Sequence, residues 1–190
     1  MKIKTICGLS ILLITVTLLV ACLSAPPSPR WTVKNVLDNV EDMFVVEEHI
    51  LMEEGDIEYD WFNLVMENYH YKIVSCEVVG RDAFVEVVIT NKDLKQVVLD
   101  GTFGYIQEAL TAALTGKEFT EKELNEIYTK NLNNAVAEVN TLKFNYIFTL
   151  QMNDNKEWII TNNSNKTLLN AVTGNIILGF DELNNIMGGE

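Results

Sequence analysis

Basic residues are scarce in this sequence. Against 27 Asp and Glu stand only 14 Lys and Arg, a formal charge of −13 over 190 residues. Nucleic acid and anionic head groups both need Lys and Arg to neutralise phosphate, so a nucleic-acid partner is the first class excluded. The surplus acid reads as a solvated surface, with an acidic docking site as the other reading. Histidine is scarcer still: His49 and His70 are the only imidazoles, too far apart to suggest a zinc site and few for proton transfer near neutral pH. Proline occurs only at Pro26, Pro27 and Pro29, and cysteine only at Cys7, Cys22 and Cys76. Low hydrophobicity is absent too. At 48% hydrophobic residues the chain has enough apolar material for a core, which excludes a disordered chain.

What the N-terminus does have is an export layout. Lys2 and Lys4 precede an uncharged run from Ile6 to Val20, the order of a secretory n-region and h-region. Leu19-Val20-Ala21-Cys22 follows at once. It resembles the lipobox of bacterial lipoproteins, in which small residues lead to a cysteine that takes a diacylglyceryl thioether and becomes the mature N-terminus. The resemblance implies lipidation at Cys22 and a membrane anchor facing the extracytoplasmic side. Two acyl chains attach stably where one is marginal. The alternative is an uncleaved anchor helix, although a span needs about 20 apolar residues, slightly more than this run supplies. Residues 1–21 then form the signal peptide, and residues 22–30, holding every proline, form a stiff spacer. Residues 31–190 make one domain. With Cys7 cleaved away and Cys22 acylated, Cys76 has no disulfide partner, and its apolar strand setting predicts a buried small hydrophobe.

Within the domain, the periodicity of Val33, Val36, Leu37, Val40, Phe44 and Val45 predicts a helix over Thr32 to Leu51, broken at Glu54-Gly55-Asp56. A second helix, Tyr59 to Asn68, offers Trp61, Phe62, Leu64 and Val65 to a core. Two β-branched runs, Tyr71 to Val79 and Ala83 to Thr90, flank Gly80-Arg81-Asp82 and predict a hairpin with a three-residue loop. Thr90 or Asn91 is the expected cap of a helix ending at Gly116, which Gly101 and Gly104 weaken in its middle, so that a break there is possible. Thr120-Glu121-Lys122-Glu123 reads as a capping box opening the next helix. Strict alternation from Leu142 to Met152 predicts a strand with one buried face, and Trp158 to Thr161 its hairpin partner. A short helix from Lys166 closes at Gly174, and the apolar tail beyond it is expected to pack on the domain. This order of elements predicts an α+β fold, with helices segregated to one side of an antiparallel sheet.

The stretches Tyr71 to Val78, Arg81 to Val87, Lys156 to Ile160 and Leu168 to Gly174 resemble those of lipoproteins from low-GC Gram-positive bacteria. Their domain is similar to the cystatin-like, or NTF2-like, α+β fold. The resemblance covers about Val33 to Gly174 and is one of pattern, so it implies a curved sheet wrapped around helices and brings no activity with it.

An enzyme of the ketosteroid-isomerase or cyclase type would place an acid/base pair inside the cone of such a sheet; the residues available for it are Asp60, His70, Glu86 and Tyr105. Their alternative reading is as surface or edge residues without a catalytic task. Glu53, Glu54, Asp56 and Glu58 are the candidate calcium ligands, yet their spacing matches no EF-hand loop, and a solvated acidic face is the other reading. Neither glycine pair has the context of a phosphate loop, and no cofactor is expected. The function expected is therefore a non-enzymatic binding module at the cell envelope. Its partner is a small apolar ligand or an envelope protein, and homodimerisation through the open sheet face is a third possibility.

Overall fold

The computed structural model describes residues 27–40, 60–162 and 165–188. Helix α1 (Pro29–Asp38) begins inside the expected spacer. The Ser28 hydroxyl accepts the Trp31 N–H at 3.2 Å, and Pro29 at the first helical position lacks an N–H that no carbonyl could reach. The proline segment therefore ends at a helix cap instead of running through Arg30. Val33, Leu37 and Val40 are fully buried. Residues 41–51 of the longer helix expected here lie outside the described residues. Helix α2 (Trp61–Asn68) is capped by Asp60, whose carboxylate accepts the Asn63 N–H at 2.9 Å. Its core face is Trp61, Leu64 and Val65; Phe62, expected inside, is 38% exposed.

Strands β1 (His70–Val79) and β2 (Asp82–Lys92) form the first hairpin. Its loop has two residues, because Asp82 already pairs with Val79, and Gly80 takes the positive φ of 63° that such a tight loop needs. Thr90 and Asn91 belong to β2, so neither caps the next helix. Asn91 is fully buried and joins three elements, its side-chain amide donating to Val172 O at 2.5 Å and Val65 O at 3.3 Å. The cap is Asp93, which accepts the Gln96 N–H.

Helix α3 (Leu94–Leu114) is continuous through Gly101 and Gly104. Helix α4 (Glu121–Glu138), opened by the expected Thr120–Glu123 capping box, crosses α3 at those glycines. A Cβ on Gly101 would lie 2.4 Å from Leu132 Cδ2, and one on Gly104 2.5 Å from Asn131 Oδ1. The glycines are there to let two helices approach, not to end one.

Strand β3 (Thr141–Met152) returns beside β2, and β4 (Trp158–Ile160) completes an antiparallel sheet in the order β1-β2-β3-β4. Helices α5 (Asn165–Val172) and α6 (Ile176–Met187) follow. The tail thus packs as expected, but as a helix: Ile176 is fully buried, and a Cβ on Gly179 would lie 3.0 Å from Lys95 Cα. Along β2, Ala83, Val85, Val87, Ile89 and Asn91 are buried while the alternate residues are half-buried or exposed. Among the described residues, one face of the sheet therefore meets the helices and the other does not, which is the α+β arrangement. Among the described residues no helix is long and apolar enough to cross a membrane.

Candidate functional site

The inner face of the sheet is filled. Val85, Val87, Ile89, Phe148 and Leu150 are at most 1% exposed and pack in one cluster with Val33, Val65, Leu132 and Ile176. Among the described residues, no helix covers the outer face. On it Phe84 is 41%, Ile147 53% and Ile159 52% exposed. Pairing places Phe84 beside Thr149 and Glu86 beside Ile147, so Phe84 and Ile147 are diagonal neighbours within reach of each other. Glu86 lies between Phe84 and Val88 along β2, and the Ser75 hydroxyl donates to its carboxylate at 3.2 Å.

The four residues considered for proton transfer are dispersed. Asp60 is an exposed helix cap. His70 is the exposed first residue of β1, paired with Thr90. Glu86 shares the outer face with His70, but Thr90, the partner of His70, lies four positions along β2 from Glu86, roughly 13 Å along a strand. Tyr105 is half-buried in α3, edge-on to Tyr128 with ring centroids 5.5 Å apart. No two of these make a hydrogen bond to each other among the described residues. Cys22, His49, Glu53, Glu54, Asp56 and Glu58 lie outside the described residues. Among those described, no group of His, Cys, Asp and Glu could hold a metal ion.

Cys76 overturns its expectation by being exposed. A bulge in β1 between Ile73 and Ser75 shifts the alternation by one, so Cys76 pairs with the buried Val85 on the inner side. But β1 is the edge strand, and every residue from Val74 to Val79 is exposed. Period alone does not reveal where the helices stop covering a strand.

A titratable cluster that periodicity did not reveal joins α1 to β1. The Tyr71 hydroxyl and the Lys34 ammonium both donate to Asp38. The Lys34 hydrogen bond, then the Tyr71 one, holds the Asp38 carboxyl below its usual range, and the bond to Asp38 raises Lys34. Burial, followed by the hydrogen bond to Asp38, raises Tyr71. The Tyr69 hydroxyl donates to Leu37 O at 3.2 Å, and burial above all pushes its ionisation up. Every polar group here is engaged in docking the helix, so the cluster is a structural clamp. A groove along α4, lined by Glu121, Lys122, Asn125, Glu126, Thr129 and Lys130, is one solvated helix face with a Lys122–Glu126 pair at 3.7 Å.

Among the described residues, the outer face of β1 to β4 exposes apolar side chains on three strands that neither the core nor the α1 clamp engages. No protein-family profile, curated protein or solved structure matches the chain.

Proposed function

We propose that the chain is an extracytoplasmic lipoprotein, held to the cell membrane by lipid on Cys22, whose cystatin-like or NTF2-like domain is a non-enzymatic protein-binding module of the envelope. The lipobox Leu19-Val20-Ala21-Cys22 supports the anchor. With α1 starting at Pro29, six residues (23–28) separate it from Cys22, a reach of about 20 Å if extended, so the domain would stay close to the bilayer.

The observation that carries the binding reading is the bare sheet face. Phe84, Ile147 and Ile159 lie exposed on a rigid four-stranded scaffold, and exposed apolar patches rimmed by polar residues mark interaction sites. A protein fits better than a small apolar ligand because the inner face, where a cone would hold such a ligand, is occupied by side chains.

Radiolabelled palmitate should enter the wild-type protein and not Cys22→Ala; equal labelling of the two removes the anchor. A photo-crosslinking residue in place of Ile147 should give adducts in cells, and one in place of Lys122 on α4 should not. Equal capture at both positions ends the sheet-face reading.

A further inference from the structure

Helix α3 has two opposite sides. On one, Gly101 and Gly104 admit Leu132 and Asn131, Tyr105 meets Tyr128, and Glu108 accepts from Lys130 at 3.1 Å and Asn131 at 3.2 Å, so this side belongs to α4. On the other, the described residues leave Phe103 44%, Leu110 60% and Leu114 88% exposed. At 3.6 residues per turn these three fall on one line. Leu99, Phe103, Ile106, Leu110 and Ala113 alternate spacings of four and three, the pattern by which one helix seats another. The stripe also lacks charge. From Phe103 to Gly116 the sequence has one charged residue, Glu108, and its carboxylate is held on the α4 side.

We infer that α3 packs on α3 of a second copy of the same chain, antiparallel, about a two-fold axis that crosses the helix near Leu110. The inference is independent of the sheet-face reading and of the anchor. A stripe of this spacing takes a helix, and another α3 offers a helix with the matching stripe. A two-fold interface sets one patch against itself. For a chain of net charge −13 that is opposed by repulsion over most of the surface, but not where neither copy carries charge. Direction follows from where the domain sits. Leu94, Val97 and Val98 are fully buried, so the body of the domain hangs on the first half of α3. Parallel helices would set two acidic bodies side by side, whereas antiparallel ones hold them at opposite ends of the seam. Phe103 of each copy then meets Leu114 of the other, and the two Leu110 side chains meet near the axis.

The seam is short. From Leu99 to Leu114 the helix rises about 23 Å, and a contact of that length between helices roughly 10 Å across covers on the order of 450 Å² of each copy. Both sides together approach the roughly 1,000 Å² that a specific interface needs, so the pairing is expected to be reversible. Salt should favour it, because the seam holds no ion pair to weaken and the repulsion between the two bodies is screened.

The test is co-purification of two full-length copies that carry different epitope tags and are expressed in the same cells. Wild-type copies should be recovered together, at high salt at least as well as at low salt. Leu110→Glu in both copies, or Leu110→Lys in both, sets two like charges together in an apolar seam and should cut the recovery by about tenfold or more. Leu110→Glu in one copy with Leu110→Lys in the other sets opposite charges at the axis and should restore it, which also shows that each variant is folded. No recovery between wild-type copies, recovery lost at high salt, recovery that neither like-charged pair reduces, or a mixed pair that recovers no more than the like-charged ones overturns the inference. If wild-type copies do not recover each other and Leu110→Glu lowers the melting temperature by several degrees, the stripe is covered by a segment of the same chain, such as residues 41–59, and not by a second copy.

Discussion

At Gly174 the backbone turns with a φ of +57°, and a Cβ there would lie 2.1 Å from the Lys92 carbonyl oxygen. Its own carbonyl accepts the Leu94 and Lys95 N–H groups at 2.9 and 3.2 Å, satisfying donors that begin α3. Both strain and collision oppose a side chain. Gly174→Ala should therefore cost on the order of 3 kcal/mol or prevent folding. Gly80 has a similar φ of +63° but nothing within 4 Å of a Cβ, so Gly80→Ala should lose only about 1 kcal/mol, the left-handed strain alone. Urea denaturation of the two variants separates these outcomes, and equal losses would mean that the contact with Lys92 is relieved cheaply. Gly174 was legible as the close of a helix. Its contact with Lys92 was not, because it joins residues 82 positions apart.

The alternation of β3 carries an element-scale prediction. Phe148 is 1% exposed and Ile147 53% exposed, although they are sequence neighbours of similar apolarity. Truncating Phe148 to Ala removes a buried ring and should cost about 3–5 kcal/mol. Ile147→Ala should stay within about 0.5 kcal/mol. Thermal melts would read this asymmetry; its reversal would mean that β3 is displaced by one residue, which exchanges the two faces. In β3 the sequence was a good guide because one periodicity runs the length of the strand. In β1 it was not, since the bulge at Val74 shifts the period and the strand lies at the sheet's edge. Helix α3 misled in the opposite direction. Gly101 weakens an isolated helix by about 1 kcal/mol, but the approach of Leu132 offsets that cost only once α4 is in place.

For the whole molecule, the docking of α1 on the sheet makes stability depend on pH. Asp38 titrates below its ordinary 3.8 in the folded protein. It therefore adds stability that is present above the unfolded value and lost as pH falls through the folded one. Lys34 titrates above its ordinary 10.5, so its share is present below that value and lost as pH rises through the folded one. The window lies between, and all of these groups are largely exposed, so the effect is modest. Asp38→Asn should lower the melting temperature near pH 7, and the deficit should shrink as pH falls through the folded value and the carboxylate takes up its proton. A deficit that keeps the same size throughout the acid range would assign the effect to lost packing instead of charge.

By itself the sequence determined the acidic balance, the capping box at Thr120, the strand faces of β3 and the α+β class. These are properties of composition, of local spacing, or of hydrogen bonds closed within one turn. Tertiary structure alone decided that Cys76 is exposed, that Gly101 and Gly104 are a crossing point, that Asp60, His70, Glu86 and Tyr105 stay dispersed, and that no described helix covers the outer sheet face. Each of these depends on which surfaces meet across long separations in the chain. Periodicity reports that a strand has two faces, and only packing decides which of them a helix covers.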